Sequence, residues 1–233
     1  MKSKTILLLT LFWVFCSFKQ DKPKKETFTK TFTAIRDGYV VNSNPQSKEE
    51  FYVGGNEYKE LLIGWNQEGH AIRAFVSFDI SSIYPSDTSK EFTLNSVVLT
   101  VYEANTNMLP FSGDDRKNSV NVFLVNYGEL EAGDFDSSDA QLCGSITSNG
   151  YNVLEDYSLN VTNRVKNQIA NHDQRDLLQF RLQFTNDKNI KNPDESDLDG
   201  STWNIFASEE EMKSYVPRLT VRYTISEKDE ETD

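Results

Sequence analysis

The chain has 233 residues, 26% of them charged, and its 36 acids outweigh 24 lysines and arginines to give a formal net charge of −12. No block of basic residues offsets that charge, which argues against general binding to nucleic acid or to an anionic membrane surface. The only cysteines are Cys16 and Cys143, so a chain in which the first is cleaved off or acylated has no internal disulfide and is held by its core.

The start, Met1-Lys2-Ser3-Lys4, is basic, and 5–15 form an apolar run too short to span a bilayer as a finished helix. This pattern predicts export, with a signal peptide over 1–16. Cys16 closes the run in the manner of a bacterial lipoprotein and is the candidate lipidation site; the alternative is a secreted chain that loses Cys16 with its signal. Residues 17–28 are polar and lysine-rich and read as a tether, and 226–233 read as a solvated acidic tail.

The stretch 29–225 reads as one domain. Short segments of period-two alternation, separated by Gly, Asn, Asp and Ser, predict strands at 30–35, 38–41, 60–65, 71–80, 96–103, 119–127, 157–161, 177–185, 203–207 and 218–225. One short helix is expected at 162–170, where Val165 and Ile169 stand four apart. The fold class that follows is all-β, an antiparallel β-sandwich of jelly-roll-like type. In 177–184, Leu178, Phe180, Leu182 and Phe184 share one face and are assigned to the core, while Gln179, Arg181 and Gln183 take the other. Truncating Phe180 is therefore expected to be costly and truncating Gln179 cheap.

Nucleophilic catalysis would need a base beside the nucleophile, and the two histidines, His70 and His172, both fall in or beside predicted loops, outside any nucleophile motif. Zinc is disfavoured by the same scarcity. A glycosidase would need only two facing carboxylates, and sequence cannot single out a pair among 36 acids. In the acidic loop 186–200, Asp194, Glu195, Asp197 and Asp199 suggest oxygen ligands for calcium, although Phe206 stands where the helix-loop-helix template requires a closing acid. No other cofactor is expected.

Glycan binding needs aromatic faces to stack on sugar rings and planar donors to read hydroxyls or carboxylates. Arg73, Phe75, Arg181, Arg218 and Arg222 are the candidates, all on predicted strands and on the face opposite the core set. A shared basic patch requires that their strands lie in one sheet.

Taken in order, several segments resemble the DNRLRE-type domain, carbohydrate-binding module family ninety-six: Ala34-Ile35-Arg36-Asp37-Gly38-Tyr39-Val40, then 61–64, 73–83, 94–102, 159–165 and 206–210, and finally Pro217-Arg218-Leu219-Thr220-Val221-Arg222-Tyr223. The resemblance implies a jelly-roll sandwich that accompanies secreted glycan-active proteins, with uronate polymers among its ligands. The expectation is a non-catalytic, exported surface protein, lipid-anchored or secreted, that binds an anionic polysaccharide and works beside glycan-degrading enzymes or importers. A structural or adhesive protein without a glycan site, and a polysaccharide-active enzyme, remain as alternatives. Asp37, Asp79, Asn160 and Ser208, at strand ends, are expected to close turns and caps.

Overall fold

The computed structural model describes residues 24–42, 51–55, 59–66, 70–107, 119–147, 155–171, 176–185, 202–208 and 214–228. Among them are twelve strands: β1 (Lys25–Thr33), β2 (Arg36–Asn42), β3 (Phe51–Gly55), β4 (Glu60–Trp65), β5 (Ala71–Asp79), β6 (Lys90–Asn107), β7 (Val120–Val125), β8 (Gln141–Ile146), β9 (Asp156–Asn160), β10 (Leu177–Phe184), β11 (Thr202–Phe206) and β12 (Arg218–Glu227). One helix, α1 (Thr162–Asn171), and two 3₁₀ turns, Ser81–Ile83 and Ala132–Asp136, complete the described elements.

The strand pairings are antiparallel and build a β-sandwich. In one sheet β12 lies between β1 and β6, with β9 also on β6. In the other, β5 is bordered by β10 and β2, β7 and β8 extend it beyond β10, and β3 extends it beyond β2. The far end of β6 pairs with β11, which pairs with β4 and so links the two sheets.

The core follows from alternation. Leu178, Phe180, Leu182 and Phe184 are all buried, as expected, and pair across β5 and β7 with Phe78, Val76, Ala74 and with Leu124, Val122, Val120. Val97, Leu99, Val101, Leu219 and Val221 join the same cluster from the other sheet. Trp65 stacks on Phe184 at 5.3 Å, and Trp203 meets the Tyr157 ring edge-on at 5.4 Å. Each fully buried large side chain contributes roughly 1.5–3 kcal/mol of transfer free energy.

The helix forms where it was expected. The Asn160 side chain accepts from Thr162 N at 3.0 Å, Val97 N donates to the Thr162 hydroxyl at 2.8 Å, and Val165 and Ile169 are buried. Asp79 Oδ1 accepts from Ser81 N at 2.9 Å, and Asp37 Oδ2 accepts from Ser208 N. Asn160 and Asp79 thus close the cap and turn expected of them, whereas Asp37 makes a long-range tie to the backbone of Ser208, 171 residues along the chain, and not a local turn.

Some boundaries differ from expectation. β1 begins at Lys25, inside the stretch read as tether, and β12 continues to Glu227, inside the stretch read as tail. The β1 residues are exposed except Phe32, so the strand has almost no apolar alternation to announce it. Edge pairing with β12 holds it instead.

Candidate functional site

Arg73, Phe75 and Arg181 do occupy the face of their sheet opposite the core set, but that face is not open. The connection between β7 and β8 lies across it, and Phe75 is fully buried, with Arg73 and Arg181 only 9% and 5% exposed. The connection is fastened by side chains rising from the sheet. Gln179 Oε1 accepts from Tyr127 N at 2.9 Å and Gly128 N at 3.1 Å, and its Nε2 donates to Gly128 O at 3.0 Å. Gln179, expected to be cheap to truncate, is thus a buried fastener. Gly128 has φ of 66°, the left-handed conformation that glycine adopts without steric cost. Ser77 Oγ and the Tyr127 hydroxyl are 2.6 Å apart, and the Tyr127 ring meets Phe75 edge-on at 5.4 Å. Burial pushes the Tyr127 hydroxyl well above its ordinary range.

Further along, Glu131 and Asp134 cap the turn Ala132–Asp136 reciprocally, each side chain accepting from the other's backbone. The turn presents its carbonyls to both guanidinium groups. Arg181 Nη1 donates to Phe135 O at 2.9 Å, and Arg73 Nη1 donates to the same oxygen and to Asp136 Oδ1, the latter at 3.1 Å. The Arg73 guanidinium also lies 3.8 Å over the Phe135 ring, and that of Arg181 lies 5.1 Å from the Phe123 ring. Partial burial of the turn holds the Asp134 carboxyl above its ordinary range. The expectation that Arg73, Phe75 and Arg181 offer an open glycan surface is therefore corrected: the arginines fasten a covering segment and Phe75 packs beneath it.

Arg218 and Arg222 belong to the other sheet, so the candidate arginines divide two and two and do not form one patch. Arg222 is exposed between Thr29 and Ser96. Arg218 is half-buried, donates to Ser214 O at 2.7 Å and lies 5.7 Å from the Tyr102 ring. Around them the outer face carries hydroxyl pairs such as Thr27–Thr224 at 3.1 Å and Thr31–Thr220 at 3.2 Å. His70 closes a local turn with Asn66, as a loop histidine does. His172, Cys16 and the calcium candidates Asp194, Glu195, Asp197 and Asp199 lie outside the described residues.

A different place is open. On the inner face of the first sheet, Phe32, Leu219 and Val221 are core, but toward the other end of that sheet Phe28 on β1 and Phe92 on β6 are only partly covered. There the rings form a row: Tyr84 to Phe92 at 5.1 Å, Phe92 to Tyr223 at 5.5 Å, and Tyr223 to Phe28 at 5.5 Å and near-parallel. Beside the row is a cleft of about 870 Å³, with Tyr84, Phe92, Leu94 and Ile169 among its apolar walls. Lys90, Lys166 and Lys228 bring three cations to it, against the carboxylates of Glu91 and Asp176. All five charged groups are exposed. Ring faces beside donors and cations can hold the apolar face of a sugar and pair with its acidic substituents. None of these residues stood among the candidates read from the sequence, because no motif joins separate segments that meet only in the fold.

No family model matches the chain, and no curated protein sequence does. Among solved structures, a chain from Desmodium yellow mottle tymovirus is similar at 12% identity over 100% of both chains with a TM-score of 0.31, too distant to carry an argument. The resemblance to the DNRLRE-type domain thus rests on the sequence segments alone.

Proposed function

We propose that this chain is an exported, non-catalytic glycan-binding protein that captures an acidic polysaccharide in the cleft between Tyr84, Phe92 and the lysines Lys90, Lys166 and Lys228. The observation that carries this reading is the meeting of an aromatic row with three lysines at an open concavity. Each component has a separate role. The rings exclude water from the apolar face of a pyranose, and the lysines pair with carboxylate or sulfate groups along the chain as point charges on flexible stems. The segments that resemble the DNRLRE-type domain support the same ligand class, and the signal-like start with Cys16 supports placement at a cell surface, anchored or secreted.

Affinity electrophoresis against uronate-rich, sulfated and neutral polysaccharides tests the proposal. Retardation by the acidic polymers, weakened by salt and by Lys166→Ala, is the expected result. Removing one exposed lysine–carboxylate pairing should cost about 0.2–1 kcal/mol of binding free energy. Phe92→Leu should weaken binding at all salt concentrations, because stacking is not screened. No retardation by any polymer would leave a structural or adhesive surface protein as the better reading, and release of reducing ends or unsaturated uronate would make it an enzyme.

A further inference from the structure

We propose that the binding site continues from the cleft at Tyr84 and Phe92 into a second, polar cleft at Arg164, so that one stretch of an acidic polysaccharide occupies both; the inference rests on the first cleft being the binding site. The fold makes room for such a path. On the side of β6 away from β12, β9 pairs with Val98–Tyr102 and the chain then passes into α1, so no described strand lies against residues 90–96 there. The start of the helix is held to the strand at Val97, whose N donates to the Thr162 hydroxyl at 2.8 Å and whose O accepts from Val161 N at 3.0 Å. Residues 90–94 line the first cleft, Asn95 and Ser96 line the second, and Lys166 of α1 lines both. The two clefts therefore adjoin. At a strand's rise the seven residues 90–96 cover ~20 Å, longer than a single sugar ring.

The second cleft has a volume of about 640 Å³. In a chain of net charge −12, no carboxylate stands among its described lining residues, while Arg164 and Lys166 bring two cations. Arg164 Nε donates to Leu142 O at 2.8 Å, which steadies the guanidinium, and its terminal nitrogens have no partner among the described residues. Such a fork can donate two parallel bonds to a uronate carboxylate. The exposed amides of Asn163 and Asn167 stand beside it and can bond ring hydroxyls. No aromatic ring lines this cleft among the described residues, so alone it would hold a sugar only through polar, screened contacts. A chain already stacked on Phe92 and Tyr84 brings its next units there at high effective concentration, and weak contacts then add to affinity.

The test is calorimetric titration of the full chain with digalacturonate and octagalacturonate at low salt. The longer oligomer should bind at least tenfold tighter. Arg164→Gln and Asn167→Asp should each weaken octagalacturonate roughly three- to tenfold and leave digalacturonate unchanged, whereas Phe92→Leu should weaken both. Circular dichroism checks that the variants fold; should Arg164→Gln lose stability with its bond to Leu142, Asn167→Asp, at an exposed helix position, carries the test. With Phe92→Leu still weakening both oligomers, equal affinities for the two, or unchanged octagalacturonate binding in the second-cleft variants, would overturn the inference and leave the first cleft as the site. Indifference of both oligomers to Phe92→Leu, or failure of both to bind, would remove the first cleft and the inference with it.

Discussion

Replacing Arg181 separates a fastening role from a ligand-binding one. The residue is 5% exposed, and its guanidinium donates to Phe135 O at 2.9 Å and to Asp134 O at 3.4 Å and lies 5.1 Å from the Phe123 ring. A hydrogen bond from a charged donor contributes about 1.5–3 kcal/mol, the longer one adds little, and the ring interaction adds about 0.5–2 kcal/mol. Against this, a neutral substitute no longer has a charge to hold away from water, which offsets part of the loss. Arg181→Met, which keeps much of the volume, should therefore cost about 2–3 kcal/mol, and Arg181→Ala about 1 kcal/mol more for the space left behind. Arg181→Lys should also destabilise, because one ammonium cannot reproduce the planar fork. For a domain of this size the Arg181→Met loss corresponds to a fall of roughly 5–10 °C in Tm, readable by circular dichroism. Urea unfolding supplies the free energy. A change under about 0.5 kcal/mol combined with lost affinity for acidic polysaccharide would refute the fastening role and restore the open-face reading.

Gln179→Ala should cost about 2–4 kcal/mol, since it strips three part-buried hydrogen bonds from the Tyr127–Gly128 backbone, and denaturant unfolding would expose the error if the cost were negligible. Phe180→Ala should cost about 3–5 kcal/mol as a fully buried ring is lost, and a small value would mean that the β10 register is wrong. Cys143, whose thiol burial pushes up to about 11, should alkylate slowly at pH 8 in the folded chain and rapidly in urea; equal rates would contradict its burial. The Asp79 carboxyl is held below its ordinary range by hydrogen bonds from the Ser81 side chain and backbone. Its contribution is present above the unfolded value near pH ~3.9 and is lost as pH falls through the folded value, so Asp79→Asn should flatten the acid limb of the stability curve.

The parts of the fold legible in the sequence were those where one strand keeps one phase of alternation between a dry face and another. β10 and β5 did so, and their bounds came out within one residue. β6 did not. A bulge lets Tyr223 pair with Leu94 where Arg222 pairs with Ser96, so the inward set runs Phe92, Leu94 and then Val97, Leu99, Val101. The change of phase hides the first part of the strand, and that hidden part supplies Lys90, Phe92 and Leu94 to the cleft. β8 escaped for a related reason, since its pairing with β7 shifts at Val122/Phe123. The acidic loop 186–200, on which the calcium candidates were placed, is outside the described residues.

The misread arginines have a different cause. Alternation says that a side chain lies opposite the core, not that water lies beyond it, and the two coincide only when nothing covers the second face. Here the covering segment is a loop rich in Asp and Glu, which composition alone reads as solvated surface. Its burial depends on long-range fasteners: Gln179, Arg181 and Arg73 stand 51, 46 and 62 residues along the chain from the backbone atoms they hold. A loop backbone laid on a sheet brings unpaired N–H and C=O groups that apolar residues cannot satisfy. Polar side chains on the covered strands are what make such a cover tenable, so the same arginines that suggested a ligand in sequence are accounted for by the carbonyl groups of the chain itself. The place for the proposed acidic ligand is instead the cleft where Lys90, Lys166 and Lys228 remain exposed beside the Tyr84 and Phe92 rings.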